Sequence, residues 1–162
     1  MKITKRYIPS RLTKKDRKKQ SAMLKKSRRL YKKGIYYTRK PVASYHSKKS
    51  NHIKNAERIY GVKKIIIGPE LVKKTGCSQE ALEKIVEKGE GAYYSSGSRP
   101  NQTAQSWGLA RLASSITSGK AAAVDYSILE KGCKPNSKAL KLAKKSRKKN
   151  GYGHRHVPKT DL

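Results

Sequence analysis

The excess of basic side chains is the feature that most limits what this chain can fold into. Lysine and arginine number 41 against 10 aspartate and glutamate residues, so the formal net charge is +31 over 162 residues. Repulsion of this size destabilises a compact state unless a polyanion or counterions neutralise it. The length fits a single domain with appended segments, and an apolar content of 35% without phenylalanine allows only a small core.

The charge is distributed unevenly along the chain. Residues 1–64 hold 23 basic and 2 acidic side chains, residues 65–133 hold 8 and 7, and residues 134–162 hold 10 and 1. This distribution predicts a central helical module at 65–133 between a basic N-terminal arm at 1–64 and a basic C-terminal tail at 134–162. Because such arms bury little apolar surface, we expect them to gain order from a partner.

Helical periodicity and capping residues predict a mainly α-helical protein with little sheet. Thr13 and Ser50 are placed to cap two helices of the N-terminal arm, and each helix is followed by a glycine. The run 35–38 is predicted as an edge strand or an extended segment, the run 65–67 as a short strand or a buried loop, and residues 89–103 as a loop. The predicted helices lie at about 13–33, 50–60, 78–88, 103–116, 121–131 and 137–149.

Cysteine and hydropathy patterns exclude several classes of protein. Cys77 and Cys133 allow at most one bridge, which rules out a disulfide framework and a four-cysteine zinc site. No window approaches the roughly 18 consecutive apolar residues of a membrane span, and the first residues lack the apolar stretch of a secretory signal. We therefore expect no membrane span, and a reducing cytosolic or nuclear setting or a virus particle assembled there.

Basic clusters interleaved with tyrosine are typical of nucleic-acid contact, because cations neutralise phosphates while aromatic rings stack on exposed bases. Lysine outnumbers arginine, which favours phosphate contact over the reading of base edges. The cations that we predict to bind polyanions are Lys14, Lys15, Arg17, Lys18, Lys19, Lys25, Lys26, Arg28, Arg29, Arg39, Lys40, Lys144, Lys145, Arg147, Lys148 and Lys149. The interleaved tyrosines are Tyr7, Tyr31, Tyr36, Tyr37, Tyr45 and Tyr60. Packing in a core is the alternative role for such tyrosines, and helical spacing favours it for the residues at 31 and 60.

The segment 89–103 combines glycines, hydroxyls and one guanidinium, a set that is able to cradle a phosphate. Its candidate anion-binding residues are Ser96, Ser98 and Arg99. The segment lacks the pattern of a P-loop, and a purely structural turn that places two tyrosines under Trp107 explains its composition equally well.

Catalysis is disfavoured by the placement of titratable residues. All four histidines lie outside the central module, and Glu80, Glu83 and Glu87 have the spacing of an exposed helix face. His154 and His156 with Cys133 form a weak metal-ligand set that is more typical of a solvated tail. We therefore expect no enzyme, no cofactor and no metal site.

Two blocks of sequence carry a family resemblance. They are RYIPSRLTKKDRKKQ at 6–20 with its continuations at 27–34 and 37–40, and KGEGAYYSSGSRPNQT at 88–103 with its continuations at 106–113 and 119–126. With these blocks the chain resembles an uncharacterised family of small, highly basic proteins encoded by large nucleocytoplasmic DNA viruses. The resemblance implies a viral setting and brings no activity and no catalytic residues.

Charge and resemblance together lead us to expect a non-enzymatic structural protein inside the virion, a minor capsid or genome-associated component present in several copies. Its expected partners are nucleic acid, primarily DNA bound without sequence preference, or acidic surfaces of capsid proteins. We expect assembly in the host nucleus or cytoplasm. An RNA-binding protein of the ribosomal kind is one alternative, because composition does not separate DNA from RNA. A nucleic-acid-modifying enzyme that uses the segment 89–103 with Arg99 or Arg111 is another.

Overall fold

A computed structural model of the chain describes residues 1–153 and 158–162, so the histidines at 154 and 156 lie outside the described residues. Within the described residues the fold is mainly α-helical, as predicted, with eight α-helices and one two-stranded sheet. In chain order the elements are β1 (Lys2–Thr4), a short 3-10 helix (Lys5–Tyr7), α1 (Lys14–Tyr31), α2 (Asn51–Tyr60), α3 (Pro69–Thr75), α4 (Gln79–Ser95), α5 (Ala104–Ser115), α6 (Lys120–Val124), α7 (Tyr126–Gly132), α8 (Lys138–Asn150) and β2 (Lys159–Asp161). None of the helices in this described part is both long and apolar enough to cross a bilayer.

Hydroxyl caps start three of the helices where the sequence predicts them. The Thr13 hydroxyl accepts the backbone N–H of the third following residue at 3.2 Å at the start of α1, and Ser50 caps α2 at 3.2 Å. Ser137 caps α8 in the same way at 3.3 Å. Gly61 ends α2 in the left-handed region at φ 61°, a conformation that costs glycine little. These short-range contacts explain why the three helix starts are predictable from sequence.

The loop predicted at 89–103 is wrong over its first part, because α4 continues from Gln79 to Ser95. Gly89 lies inside this helix, where a Cβ atom would stand 2.7 Å from the Cα of Gly108 on α5. The glycine therefore serves close helix packing and does not break the helix, a distinction that composition alone does not make.

Two smaller features also differ from the expected pattern. The single helix predicted at 121–131 is two helices, α6 and α7, which meet at Asp125. The seven-residue helix α3 was not predicted, although a proline at its first position is a typical helix start. Of the alternatives predicted for two short runs, residues 35–38 are not a strand and Ile65 is buried in a loop, so the non-strand alternative is correct for both.

The described fold consists of two compact units that divide the chain differently from its charge segments. The first unit comprises residues 1–48, 90–107 and 156–162. In it β1 pairs antiparallel with β2, with Ile3 opposite Thr160. The basic N-terminal segment supplies this unit with an apolar cluster of its own, made of Ile3, Tyr7, Ile8, Leu12, Met23, Leu24, Val42 and Tyr45.

The second unit comprises residues 49–89 and 108–155 and contains the larger apolar cluster. Leu82, Ile85 and Leu112 are among its fully buried side chains. Cys77 and Cys133 form a disulfide across a sequence separation of 56 residues, so neither thiol is free to bind a metal. The predicted acidic face of α4 is confirmed, since its glutamates at 80, 83 and 87 are exposed.

Candidate nucleic-acid interface

Helix α1 presents a basic surface around a single buried stripe. Its buried residues recur every three or four positions and therefore lie on one helix face. They are Asp16, Gln20, Met23, Leu24 and Ser27. The rest of the circumference carries the predicted cations, of which Lys14, Lys15, Arg17, Lys18, Lys19, Lys25, Lys26 and Arg29 are exposed.

Asp16, the one acid of α1, is committed to a local contact. Its Oδ2 accepts hydrogen bonds from the Ser44 hydroxyl at 2.5 Å and from the Ser44 backbone N–H at 2.8 Å. These bonds, the hydroxyl bond first, lower the pKa of Asp16 below its ordinary value. The carboxylate thus fastens the segment around residue 44 to α1.

The exposed cations of α1 have no acidic partner within 4 Å among residues 1–153 and 158–162. Lys19 donates to the carbonyl of Pro41 at 3.1 Å, and Arg17 lies 3.5 Å from two carbonyl oxygens of the loop before the helix. Neither contact neutralises the charge. The positive charge of this surface is therefore available to an external anion.

Arg28 differs from its neighbours on α1, because it is half-buried and fixed to the backbone. Its Nε donates to the carbonyl of Ser96 and its Nη1 to the carbonyl of Lys2, both at 2.9 Å. Burial lowers the pKa of this guanidinium. Arg28 therefore joins the segments of the first unit and is less accessible than the lysines predicted beside it.

Arg39 was predicted as a surface cation, but the structure places it inside the first unit with 6% of its surface exposed. Nη1 donates to the Ser27 hydroxyl at 2.7 Å and to the Tyr93 carbonyl at 2.9 Å, and Nη2 donates to the Ser98 hydroxyl at 2.9 Å. The guanidinium also lies 3.8 Å from the centroid of the Tyr93 ring. Burial lowers the pKa of Arg39. Its donors are used inside the protein, whereas the neighbouring Lys40 is exposed.

The contact between Arg39 and Ser98 separates the predicted anion-binding residues Ser96, Ser98 and Arg99. Ser98 is buried, its hydroxyl accepting from Arg39 and donating to the carbonyl of Arg99 at 2.8 Å. Ser96 and Arg99 are exposed. The Ser98 hydroxyl is thus occupied, and only the other two residues face solvent.

Helix α8 forms a second basic surface, in the second unit. Ala139, Leu140, Ala143 and Ser146 are its buried residues, and no acid occurs in the helix. The predicted cations Lys144, Lys145, Lys148 and Lys149 are exposed. Arg147 is half-buried between two rings, 4.4 Å from the centroid of Tyr126 and 4.6 Å from that of Tyr152.

The interleaved tyrosines divide into a buried and a surface group. The rings at 7, 45 and 60 are buried, which confirms core packing for Tyr60, whose hydroxyl donates to the carbonyl of Ile116. The core packing predicted for Tyr31 is wrong, because this residue is 37% exposed at the end of α1. Tyr36 is 68% exposed and lies beside Tyr31 and Tyr94. Sequence reasoning did not identify Tyr152 as a surface residue, although two flanking glycines after a basic helix were a signal for it.

Arg111, considered for catalysis above, belongs to a buried ion pair of the second unit. It donates to both carboxylate oxygens of Asp125 at 2.9 and 2.7 Å, and Ser115 donates to the same carboxylate at 2.9 Å. Asp125 is fully buried. Arg111 therefore neutralises a buried carboxylate that links α5 to the junction of α6 and α7.

Most of the chain matches a known protein family. A family model described as a family of unknown function (DUF5824) matches residues 4–136. No curated protein and no solved structure matches the chain significantly.

Proposed function

The chain belongs to this family of unknown function, and we propose from its own residues that it is a non-enzymatic protein that binds nucleic acid without sequence preference. The observation that carries the proposal is the row of exposed cations on α1, none of which has an acidic partner within 4 Å among the described residues. The helix has 18 residues and is therefore about 27 Å long, which spans many phosphates of a nucleic-acid backbone.

Counterion release supplies the affinity of such a contact. Each phosphate that a lysine neutralises frees a condensed cation, and this favourable term is independent of base sequence. The lysines of α8 add a second surface of the same kind. Lysine acts as a point charge without the fork that reads guanine, so we expect little discrimination between sequences.

We further propose a viral setting, on the strength of the sequence resemblance. In that setting the protein is an internal virion component, a minor capsid or genome-associated protein present in several copies and assembled in the host nucleus or cytoplasm. Mass spectrometry of purified particles tests this part of the proposal directly. Absence of the protein from the particles would refute it.

Titration of the full chain with duplex DNA at several salt concentrations tests nucleic-acid binding. The logarithm of the binding constant should fall by about 0.9 per decade of salt for each phosphate neutralised. Affinity that is independent of salt would reject the proposal. Equally tight binding to polyglutamate at each salt concentration would instead favour acidic protein surfaces as the partner.

A pair of charge variants locates the contact. In the first variant, alanine replaces four exposed lysines of α1, namely Lys14, Lys15, Lys18 and Lys19. In the control, alanine replaces four exposed lysines outside the predicted surfaces, namely Lys63, Lys64, Lys73 and Lys84. Both variants lose the same charge, so a shallower salt dependence in the first variant alone assigns the contact to α1.

A further inference from the structure

Three tyrosines from separate segments meet on the surface of the first unit, and we call them the tyrosine cluster. Tyr31 ends α1, Tyr36 follows in the extended segment, and Tyr94 lies near the end of α4. The Tyr36 ring centroid is 6.1 Å from that of Tyr31 and 5.2 Å from that of Tyr94, with interplanar angles of 42° and 36°. The Tyr36 ring thus contacts both other rings, and neither of these two contacts is perpendicular.

Mutual packing of the rings leaves much of this surface in water. Tyr36 remains 68% exposed and Tyr31 37% exposed, and the neighbouring Ile35 is 50% exposed. Single exposed apolar side chains are ordinary, but a group of them on one surface marks a place where something binds. Tyr36 is the most exposed member of the cluster.

The charge around the cluster identifies the chemistry of the partner. Lys32 and Lys33 separate Tyr31 from the extended segment and are exposed, and the Lys26 ammonium lies 4.5 Å from the ring centroid of Tyr37. The three acids of this unit are Asp16, Asp161 and Glu90. Asp16 is bound by Ser44 and Asp161 pairs with Lys2 at 3.1 Å, so Glu90 on α4 is the one remaining acid of this unit. A cation-flanked aromatic surface fits a ligand that is negatively charged and has flat rings.

We propose that the tyrosine cluster is a stacking site for unpaired nucleobases, so that the protein holds single strands more tightly than duplexes with the same number of phosphates. The inference rests on the proposed function and specifies its substrate class. Bases in a duplex are already stacked on one another, and only an unpaired base can lay its face on Tyr36. The lysines beside the cluster then contact the phosphates on either side of that base.

Binding of Tyr36 variants to labelled strands of equal length tests the inference. The strands are oligothymidine DNA, oligouridine RNA, an abasic DNA strand and a duplex with the same phosphate count. Tyr36→Ala should weaken binding to the two base-bearing single strands by roughly 5-fold to 100-fold, the range for loss of one stacked base. It should leave the salt dependence, and binding to the abasic strand and the duplex, unchanged. Unequal losses on the DNA and RNA strands would identify the preferred polymer.

Two further variants control this experiment. Tyr36→Phe keeps the ring and should bind like the wild type, so a loss equal to that of alanine would overturn stacking in favour of a hydroxyl contact. Ile66 has a similar exposed fraction, 64%, but belongs to the second unit and lies outside the predicted surfaces, so Ile66→Ala should have no effect on these strands. Equal losses in both alanine variants would overturn the assignment to the cluster.

The remaining outcomes separate the inference from the proposed function. If the wild type binds all four strands with a steep salt dependence and Tyr36→Ala changes none of them, the stacking site is refuted and phosphate binding stands. If the wild type binds no strand, both are refuted. A concentration-dependent dimer of the free wild type that Tyr36→Ala abolishes, seen by sedimentation, would assign the cluster to self-association and refute stacking.

Discussion

At the scale of single residues, Arg39 shows how this protein holds a buried positive charge without a carboxylate. A buried cation is costly unless its donors are satisfied. Here two hydroxyls and one carbonyl accept from the guanidinium, and the Tyr93 ring provides a negative face 3.8 Å away. Arg39 thereby ties the extended segment to α1, α4 and the residues that follow α4.

Arg39→Lys separates this structural role from a role in anion binding. Arg39 reaches its three acceptors with two nitrogens of a planar group. Lysine keeps the charge, but its single ammonium nitrogen cannot reach all three acceptors. We expect the free energy of unfolding, measured by urea denaturation, to fall by about 3 kcal/mol. An exposed phosphate contact would tolerate the same exchange.

Arg29→Lys on the exposed surface of α1 is the matched control and should change the free energy of unfolding by less than about 0.5 kcal/mol. If the two variants are equally stable, the buried network around Arg39 contributes nothing and the residue belongs with the exposed cations after all. The comparison needs no binding partner.

At the scale of helices, local chemistry decides what sequence reasoning finds. The starts of α1, α2 and α8 follow from hydroxyl caps that act within three residues, and their ends from nearby glycines or basic turns. The role of Gly89 inside α4 depends instead on its contact with α5, which lies about twenty residues further along the chain. The sheet pairs residues 2–4 with 159–161, and local sequence cannot predict a pairing between segments so far apart in the chain.

Two glycines in α4 provide a test of close packing. Alanine at position 89 would place a Cβ 2.7 Å from the Cα of Gly108 and 3.2 Å from the Cβ of Arg111, so backbone would have to move. We expect Gly89→Ala to lower the free energy of unfolding by about 1–3 kcal/mol despite the better helix propensity of alanine. Chemical denaturation followed by circular dichroism measures the change.

Gly91 is the matched control, since no heavy atom lies within 4 Å of a Cβ built there. Gly91→Ala should raise the free energy of unfolding by about 0.5–1 kcal/mol, because alanine loses less backbone entropy in a helix. If both alanine variants are stabilised, α4 and α5 do not need a glycine contact at position 89.

At the scale of the whole molecule, the basic surfaces were predictable and the buried cations were not. Lysines such as Lys18 on α1 and Lys148 on α8 are exposed because nothing in a small core accommodates an ammonium group. Arg39 and Ser98 are buried by contacts with residues more than fifty positions away in the sequence. Composition therefore identifies the charge of a surface, while tertiary contacts decide which cations belong to it.

The apolar clusters of the two units explain how so basic a chain folds. The first unit has 20 basic and 3 acidic residues and the second has 21 and 7, so both carry a large positive charge. Each has its own apolar cluster, and the second has a disulfide in addition. Covalent closure is a useful complement to a small core, because it reduces the entropy of the unfolded chain without requiring more apolar residues.

The disulfide should therefore make the stability of the protein depend on redox conditions. Two backbone hydrogen bonds flank the bridge, from Ser78 to Gly132 at 2.8 Å and from Lys134 to Gly76 at 2.9 Å. Closing a loop across 56 residues is worth about 4 kcal/mol in the chain-entropy estimate. Urea denaturation with and without a phosphine reductant should show a loss of this size on reduction.

The double variant Cys77→Ser with Cys133→Ser should have the stability of the reduced wild type and no response to the reductant. Equal stability of the oxidised and reduced wild type would show that the bridge adds nothing to the apolar cluster and the backbone hydrogen bonds of the second unit.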